Sequence, residues 1–92
     1  MEEHDFGWAL KKLRYGHKVA RESWNGKGMF LILVGATMGA ELREGTPYHR
    51  ALNKTNVTIM PHIDMYTAQG TMQPGWLASQ SDMLASDWEI VE

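Results

Sequence analysis

The sequence contains no cysteine, so neither a disulfide framework nor a thiolate metal site can hold it together. It has few consecutive apolar residues: the longest run, Met29 to Val34, falls far short of the roughly 20 needed to span a bilayer. Met1 to Asp5 shows no basic stretch followed by an apolar one, so no export signal is expected, and cytosolic residence is the expectation. Positive charge is also scarce. With a net charge of −2 the chain lacks the dense basic face that nucleic-acid domains use, which argues against a nucleic-acid partner. A small anionic ligand is still allowed, because one or two cations such as Arg21 and Lys27 with backbone N–H groups near glycines would hold it.

What the chain does have is bulk. Four Trp, two Phe, three Tyr and seven Met are many large side chains for 92 residues, and such residues fill cores, interfaces and adaptable pockets alike. This length supports one domain, residues 1–92, burying only about 60 to 65% of the surface its unfolded form exposes.

Asp5 caps an expected first helix in which Phe6, Ala9, Leu10 and Leu13 share one face, with Gly16 ending it. Lys18 to Arg21 reads as a strand entering a turn-rich stretch. Met29 to Val34, as a strand, places large side chains on both faces of a sheet, and one helix covers only one of them. The other face then needs a neighbouring subunit or a helix folded back from the middle of the chain. In that middle, Thr46 and Pro47 start a short helix to about Leu52, and the remaining glycines suggest loop. Val57 to Met60 and His62 to Thr67 read as strands interrupted by Pro61, at an edge or bulge. A turn at Ala68 to Gly70 follows, then a capping box from Ser79 to Asp82 opening a short helix, and a last strand from Trp88 to Val91. The fold class expected is α+β: a small antiparallel sheet packed with an N-terminal helix and short additional helices, assembled as a homo-oligomer.

Two stretches hold the parts of a nucleotide site. Trp24, Asn25, Gly26, Lys27 and Gly28 combine an aromatic plate, an amide, two unencumbered backbone positions and a cation. Asn-Gly is equally a hairpin signal, with Trp24 then a core anchor. Trp76 is followed by Leu77, Ala78, Ser79, Gln80, Ser81 and Asp82, where small polar groups gather at a helix start; ordinary capping explains them as well. Asp82 would repel phosphate and better suits a ribose hydroxyl or base edge. His62 and Asp64, two apart on a strand, form a metal pair without an evident third ligand, so no metal or other cofactor is expected. None of Ser23, Ser79, Ser81 or Ser86 sits in a nucleophile elbow, and Asp82 with Asp87 are as readily helix flanks as an acid–base pair. The chain is therefore expected not to be an enzyme. A nucleotide-signal hydrolase and a structural or protein-interaction domain without a small ligand are the competing readings.

As a set, the ordered blocks resemble a known family. They run Phe6-Gly7-x-Ala9-Leu10, Val19-Ala20-Arg21, Trp24-Asn25-Gly26-Lys27-Gly28-Met29, Pro61-His62-Ile63-Asp64-Met65-x-Thr67-Ala68-x-Gly70 and Trp76-Leu77-Ala78-Ser79-Gln80-Ser81-Asp82-Met83-Leu84-Ala85-x-Asp87-Trp88. Over all but the middle segment, 35–56, the chain is similar to the Thoeris anti-defence sponges of the second type. That resemblance implies a phage protein that forms tetramers and sequesters glycocyclic ADP-ribose, the messenger of TIR-domain enzymes in Thoeris, without cleaving it. It also implies that some relatives bind the cyclic dinucleotides of CBASS defence, in pockets between subunits. Transferred by residue, Trp24 and Trp76 would stack on the ligand, Asn25, Ser79, Gln80 and Asp82 would make polar contacts, and Phe6 would wall the pocket. Trp88 is expected to pack beside Ile90, and Trp8 is left unassigned.

Overall fold

A computed structural model describes residues 4–24 and 27–92. The first helix, α1, spans Phe6–Arg14, and the Asp5 side chain accepts a hydrogen bond from the Trp8 N–H at its start. At the other end the Gly16 N–H donates to the Leu13 carbonyl and the His17 N–H to the Lys12 carbonyl. This pairing of the last carbonyls needs a left-handed residue just past the helix, and Gly16 supplies it with φ +91°.

Seven strands follow: β1 (Lys18–Arg21), β2 (Phe30–Val34), β3 (Thr37–Glu41), β4 (Asn56–Ile59), β5 (His62–Tyr66), β6 (Met72–Gln73) and β7 (Trp88–Val91). Helix α2 (Pro47–Leu52) lies between β3 and β4, and α3 (Gln80–Leu84) between β6 and β7. Five strands form one antiparallel sheet in the order β6-β5-β2-β1-β7, while β3 and β4 pair only with each other. Sequence reading takes the middle segment outside α2 as loop, but Thr37–Glu41 is a strand. Pro61 is not a bulge within one sheet: it stands where the chain leaves β4 and re-enters the larger sheet as β5. Nor does α2 fold back over the larger sheet; it belongs to the β3–β4 excursion.

Register decides which side chains share a face. Val19 stands opposite Leu31 and Ile90, Arg21 opposite Trp88, and Leu31 opposite Met65, so these residues point together toward α1. There Val19, Leu31 and Trp88 join Ala9 and Leu13 of the helix in the core. The opposite face carries Phe30, Ile32, Val34, Tyr66 and Val91, and the two-faced apolar character expected of β2 is present. Phe30 stacks on Tyr66 at 5.0 Å between centroids, with the Lys18 ammonium 4.9 Å from the Phe30 ring. The small-domain core is thin: among the described residues only Ala9, Leu13, Val19, Ala20, Leu31 and Trp88 are buried apolar side chains.

Candidate functional site

The turn after β1 and the extended chain before α3 are remote in sequence, yet the fold brings them together over one residue of β7. Trp88 is 1% exposed, and its indole N–H donates to the Asp82 carbonyl at 3.1 Å. Around it stand Trp24 at 5.5 Å, Phe6 at 5.6 Å and Trp76 at 6.3 Å, measured between ring centroids. Trp24 and Trp76 also meet directly, 6.3 Å apart and nearly perpendicular. Edge-to-face packing of this kind favours the ring quadrupoles and fixes each plane against its neighbours. Phe6, Trp24 and Trp76 are each only half-buried, so part of every ring stays accessible while its inner edge is anchored.

Three of the residues expected to bind ligand, Phe6, Trp24 and Trp76, thus converge. Asn25 lies outside the described residues. Ser79 and Gln80 are exposed at the start of α3, close along the chain to Trp76. Asp82 is turned inward. Its carboxylate accepts from the Ser79 N–H at 3.0 Å while the Ser79 hydroxyl accepts from the Asp82 N–H at 3.1 Å, the two halves of a capping box. The other Asp82 oxygen takes the Arg21 guanidinium at 2.9 Å. Arg21 reaches Asp87 as well, at 3.0 Å, and the second Asp87 oxygen accepts from the Ser23 N–H. Arg21 therefore ties β1, α3 and the entry to β7 together, and its charge is spent inside the chain rather than offered to an anion. Sequence reasoning missed this network. The signal was a charged residue closing the otherwise apolar half of Val19-Ala20-Arg21, where only a carboxylate partner would make its partial burial tolerable.

The network is charged at neutral pH. Burial pushes the Asp82 carboxyl up, but the hydrogen bonds from the Ser79 backbone and hydroxyl and from Arg21 outweigh it and hold the pKa below the ordinary carboxylate range. Burial likewise raises Asp87, and the bonds from Arg21 and the Ser23 N–H outweigh it, so its pKa too lies below the ordinary range. The Arg21 guanidinium is raised by the same two carboxylates. A folded pKa below the unfolded value, about 3.9 for aspartate, contributes stability that is fully present above that value and is lost as pH falls through the folded one. The melting temperature is expected to fall below about pH 4. In Asp87→Asn the plateau at neutral pH is lower and the acid fall shallower, which circular dichroism melts between about pH 2.5 and 7 will check.

Beside Trp24, at the β1–β7 edge of the sheet, lies a cleft of about 230 Å³ lined by Ala20, Arg21, Glu22, Gly28, Met29, Glu89 and Val91. The remaining tryptophan, Trp8, stacks on His4 at 3.8 Å and lies away from the cluster's ring contacts. The His62 Nδ1–H donates to Asp64 Oδ1 at 2.6 Å, and the same oxygen accepts from the Gly75 N–H at 3.0 Å, so the pair ties β5 to the turn that follows β6. Among the described residues no group of three His, Cys, Asp or Glu could hold a metal ion, and no helix is long and apolar enough to cross a membrane.

The family model described as the Thoeris anti-defense 2-like domain matches residues 4–91, which include every element of the fold and the whole aromatic cluster. The chain belongs to the Thoeris anti-defense 2 family. A relative named Thoeris anti-defense 2, from Bacillus phage SP01, is 35% identical over 86 residues, covering 94% of this chain and 92% of the relative. Membership in this anti-defence family agrees with the resemblance in the sequence blocks. The matched span also includes the β3–β4 excursion, the segment for which the sequence offered no recognisable pattern.

Proposed function

We propose that this protein is a phage sponge that binds glycocyclic ADP-ribose and withholds it from Thoeris effectors without breaking any of its bonds. The observation that carries this reading is the convergence of Phe6, Trp24 and Trp76, all half-buried, on buried Trp88. Anchored indoles are ready stacking surfaces for a purine, and rigidity before binding lowers the ordering cost. Family membership supplies the class of biological setting. Ser79 and Gln80 serve as polar contacts beside Trp76, and Asn25 beside Trp24. Asp82 acts as a positioning residue through its cap of α3.

Sequestration without turnover also suits the chemistry of the nearby groups. The Ser79 hydroxyl is engaged in the cap, and Asp82 and Asp87 are held ionised by Arg21, so neither is a proton donor at neutral pH. A sponge has to hold free messenger below the effector's threshold. A nanomolar constant corresponds to about −12 kcal/mol, of which two stacked indoles supply roughly 2 to 6. The balance comes from phosphate and hydroxyl contacts completed by a second subunit within a homotetramer in the cytosol of the infected host. Cyclic dinucleotides of CBASS are a second ligand class for the same assembly.

The test is recovery. Purified protein is incubated with glycocyclic ADP-ribose, filtered free of unbound ligand, then heated to denature it. Intact messenger in the supernatant, in stoichiometric amount, is the expected outcome. A converted product identifies a nucleotide-processing enzyme instead, and absence of any retained nucleotide removes the sponge reading.

A further inference from the structure

The two rings proposed to stack on the nucleotide form a corner rather than a slot. Trp24 and Trp76 stand 6.3 Å apart between centroids with their planes at 75°. A flat base fits between two rings, face on face with both, only when their planes are near parallel. At 75° each indole offers a face only to its own part of a ligand. A molecule touching both must itself be bent, with two of its surfaces at a steep angle. The angle between the rings is then a determinant of which nucleotides fit.

One chain of hydrogen bonds holds that corner. It starts at the Ser23 N–H, next to Trp24, which donates to the Asp87 carboxylate at 3.0 Å. The other Asp87 oxygen accepts from Arg21 Nε at 3.0 Å, and Arg21 Nη1 donates to Asp82 at 2.9 Å. The second Asp82 oxygen accepts from the N–H of Ser79, just past Trp76, at 3.0 Å. Arg21 is the midpoint, its side chain 18% exposed, and it reaches the two carboxylates with two different nitrogens. A guanidinium is a planar fork that fixes both directions at once, whereas a lysine ammonium is a point charge on a flexible stem. The backbone before Trp76 is fastened separately, by the Trp76 N–H to the Ile63 carbonyl at 2.7 Å and the Gly75 N–H to Asp64 at 3.0 Å. On the Trp24 side, Asp87 holds the turn with its carbonyl as well, which accepts from the Glu22 N–H at 2.9 Å. The tilt of Trp24 against Trp76 therefore depends on Asp87 and on Arg21, which links it to Asp82.

We infer that Arg21 is a positioning residue of the stacking site, fixing the angle between Trp24 and Trp76 and so favouring nucleotides already closed into a ring over open-chain ones. A cyclic nucleotide is bent before it binds, but an open chain must give up rotational freedom to follow the corner. A loosened corner loses that preference. This rests on the proposed nucleotide binding, and the rings are read with and without ligand so that the two can fail separately. Arg21→Lys keeps the charge but not the fork. In the ligand-free variant the indole N–H resonances of Trp24 and Trp76 are expected to shift or broaden in N–H correlation spectra, while that of Trp8, stacked on His4, stays in place. Glycocyclic ADP-ribose is expected to bind about 2- to 12-fold more weakly, the cost of ordering one released side chain, and open-chain ADP-ribose to lose less. Unmoved Trp24 and Trp76 resonances overturn the inference, and so does an equal loss for the two nucleotides, which is what a merely structural role produces. If Arg21→Lys does not fold, Asp87→Asn decides by the same readouts, because its single acceptor oxygen cannot serve both Arg21 and Ser23. A wild type that retains no nucleotide removes the sponge reading alone, and the ligand-free resonances then decide whether Arg21 sets the rings.

Discussion

Trp88→Ala is expected to unfold this protein at physiological temperature or leave it on the edge of unfolding. The indole is 1% exposed, touches Phe6, Trp24 and Trp76, and closes a hydrogen bond to the backbone of α3. Removing a buried aromatic of this size costs about 3 to 5 kcal/mol in transfer and cavity terms. A 92-residue chain has only about 5 to 14 kcal/mol in hand. At about 4 to 8 °C per kcal/mol for a domain of this size, the melting temperature drops by tens of degrees. Trp88→Phe retains much of the packing but loses the donor to Asp82 and falls between. Thermal melts of the three proteins order them; a Trp88→Ala melting within a few degrees of wild type would mean that the aromatic cluster is not the keystone of the fold.

The second large effect is on ligand affinity. Trp24→Ala and Trp76→Ala each remove a stacking surface worth about 1 to 3 kcal/mol, so each is expected to weaken glycocyclic ADP-ribose binding by about 5- to 150-fold. Because the two rings touch, the double variant will not show the simple product of the two losses. Both rings also rest on Trp88, so part of any loss could come through stability. Titration calorimetry well below each variant's melting temperature separates the two effects. Trp24→Phe and Trp76→Phe should recover part of the affinity, because a smaller aromatic face still stacks. Unchanged affinity in both alanine variants, with the fold intact, would place the ligand elsewhere, the cleft between Glu22 and Glu89 being the next surface to examine.

Much of the body of the fold was legible because its signals are local. Asp5 and Gly16 bracket α1 and Ser79 with Asp82 open α3 through bonds a few residues apart, while α2 opens on Pro47, whose fixed φ suits a first helical turn without a side-chain cap from Thr46. Strand β3 was not legible. Gly39 and the small Ala40 interrupt its pattern, and a strand exposed on nearly every side shows no alternation of apolar and polar residues. Its assignment with β4 to a separate sheet is a long-range pairing that no window of sequence contains. The two-residue β6 is too short to leave a pattern. For the site, the resemblance named Trp24, Trp76 and Phe6, but their convergence on Trp88 needs the fold. Arg21 offered itself in sequence as a cation for an anionic ligand, and its capture by Asp82 and Asp87 depends on the register of β1 against β7.

Val34 and His62 stand side by side as partners in adjacent strands, so everything between them begins and ends at one point of the body. The entropic cost of such an excursion grows only slowly with its length. That stretch can therefore be shortened or lengthened without disturbing the rings packed around Trp88 on the other face of the sheet.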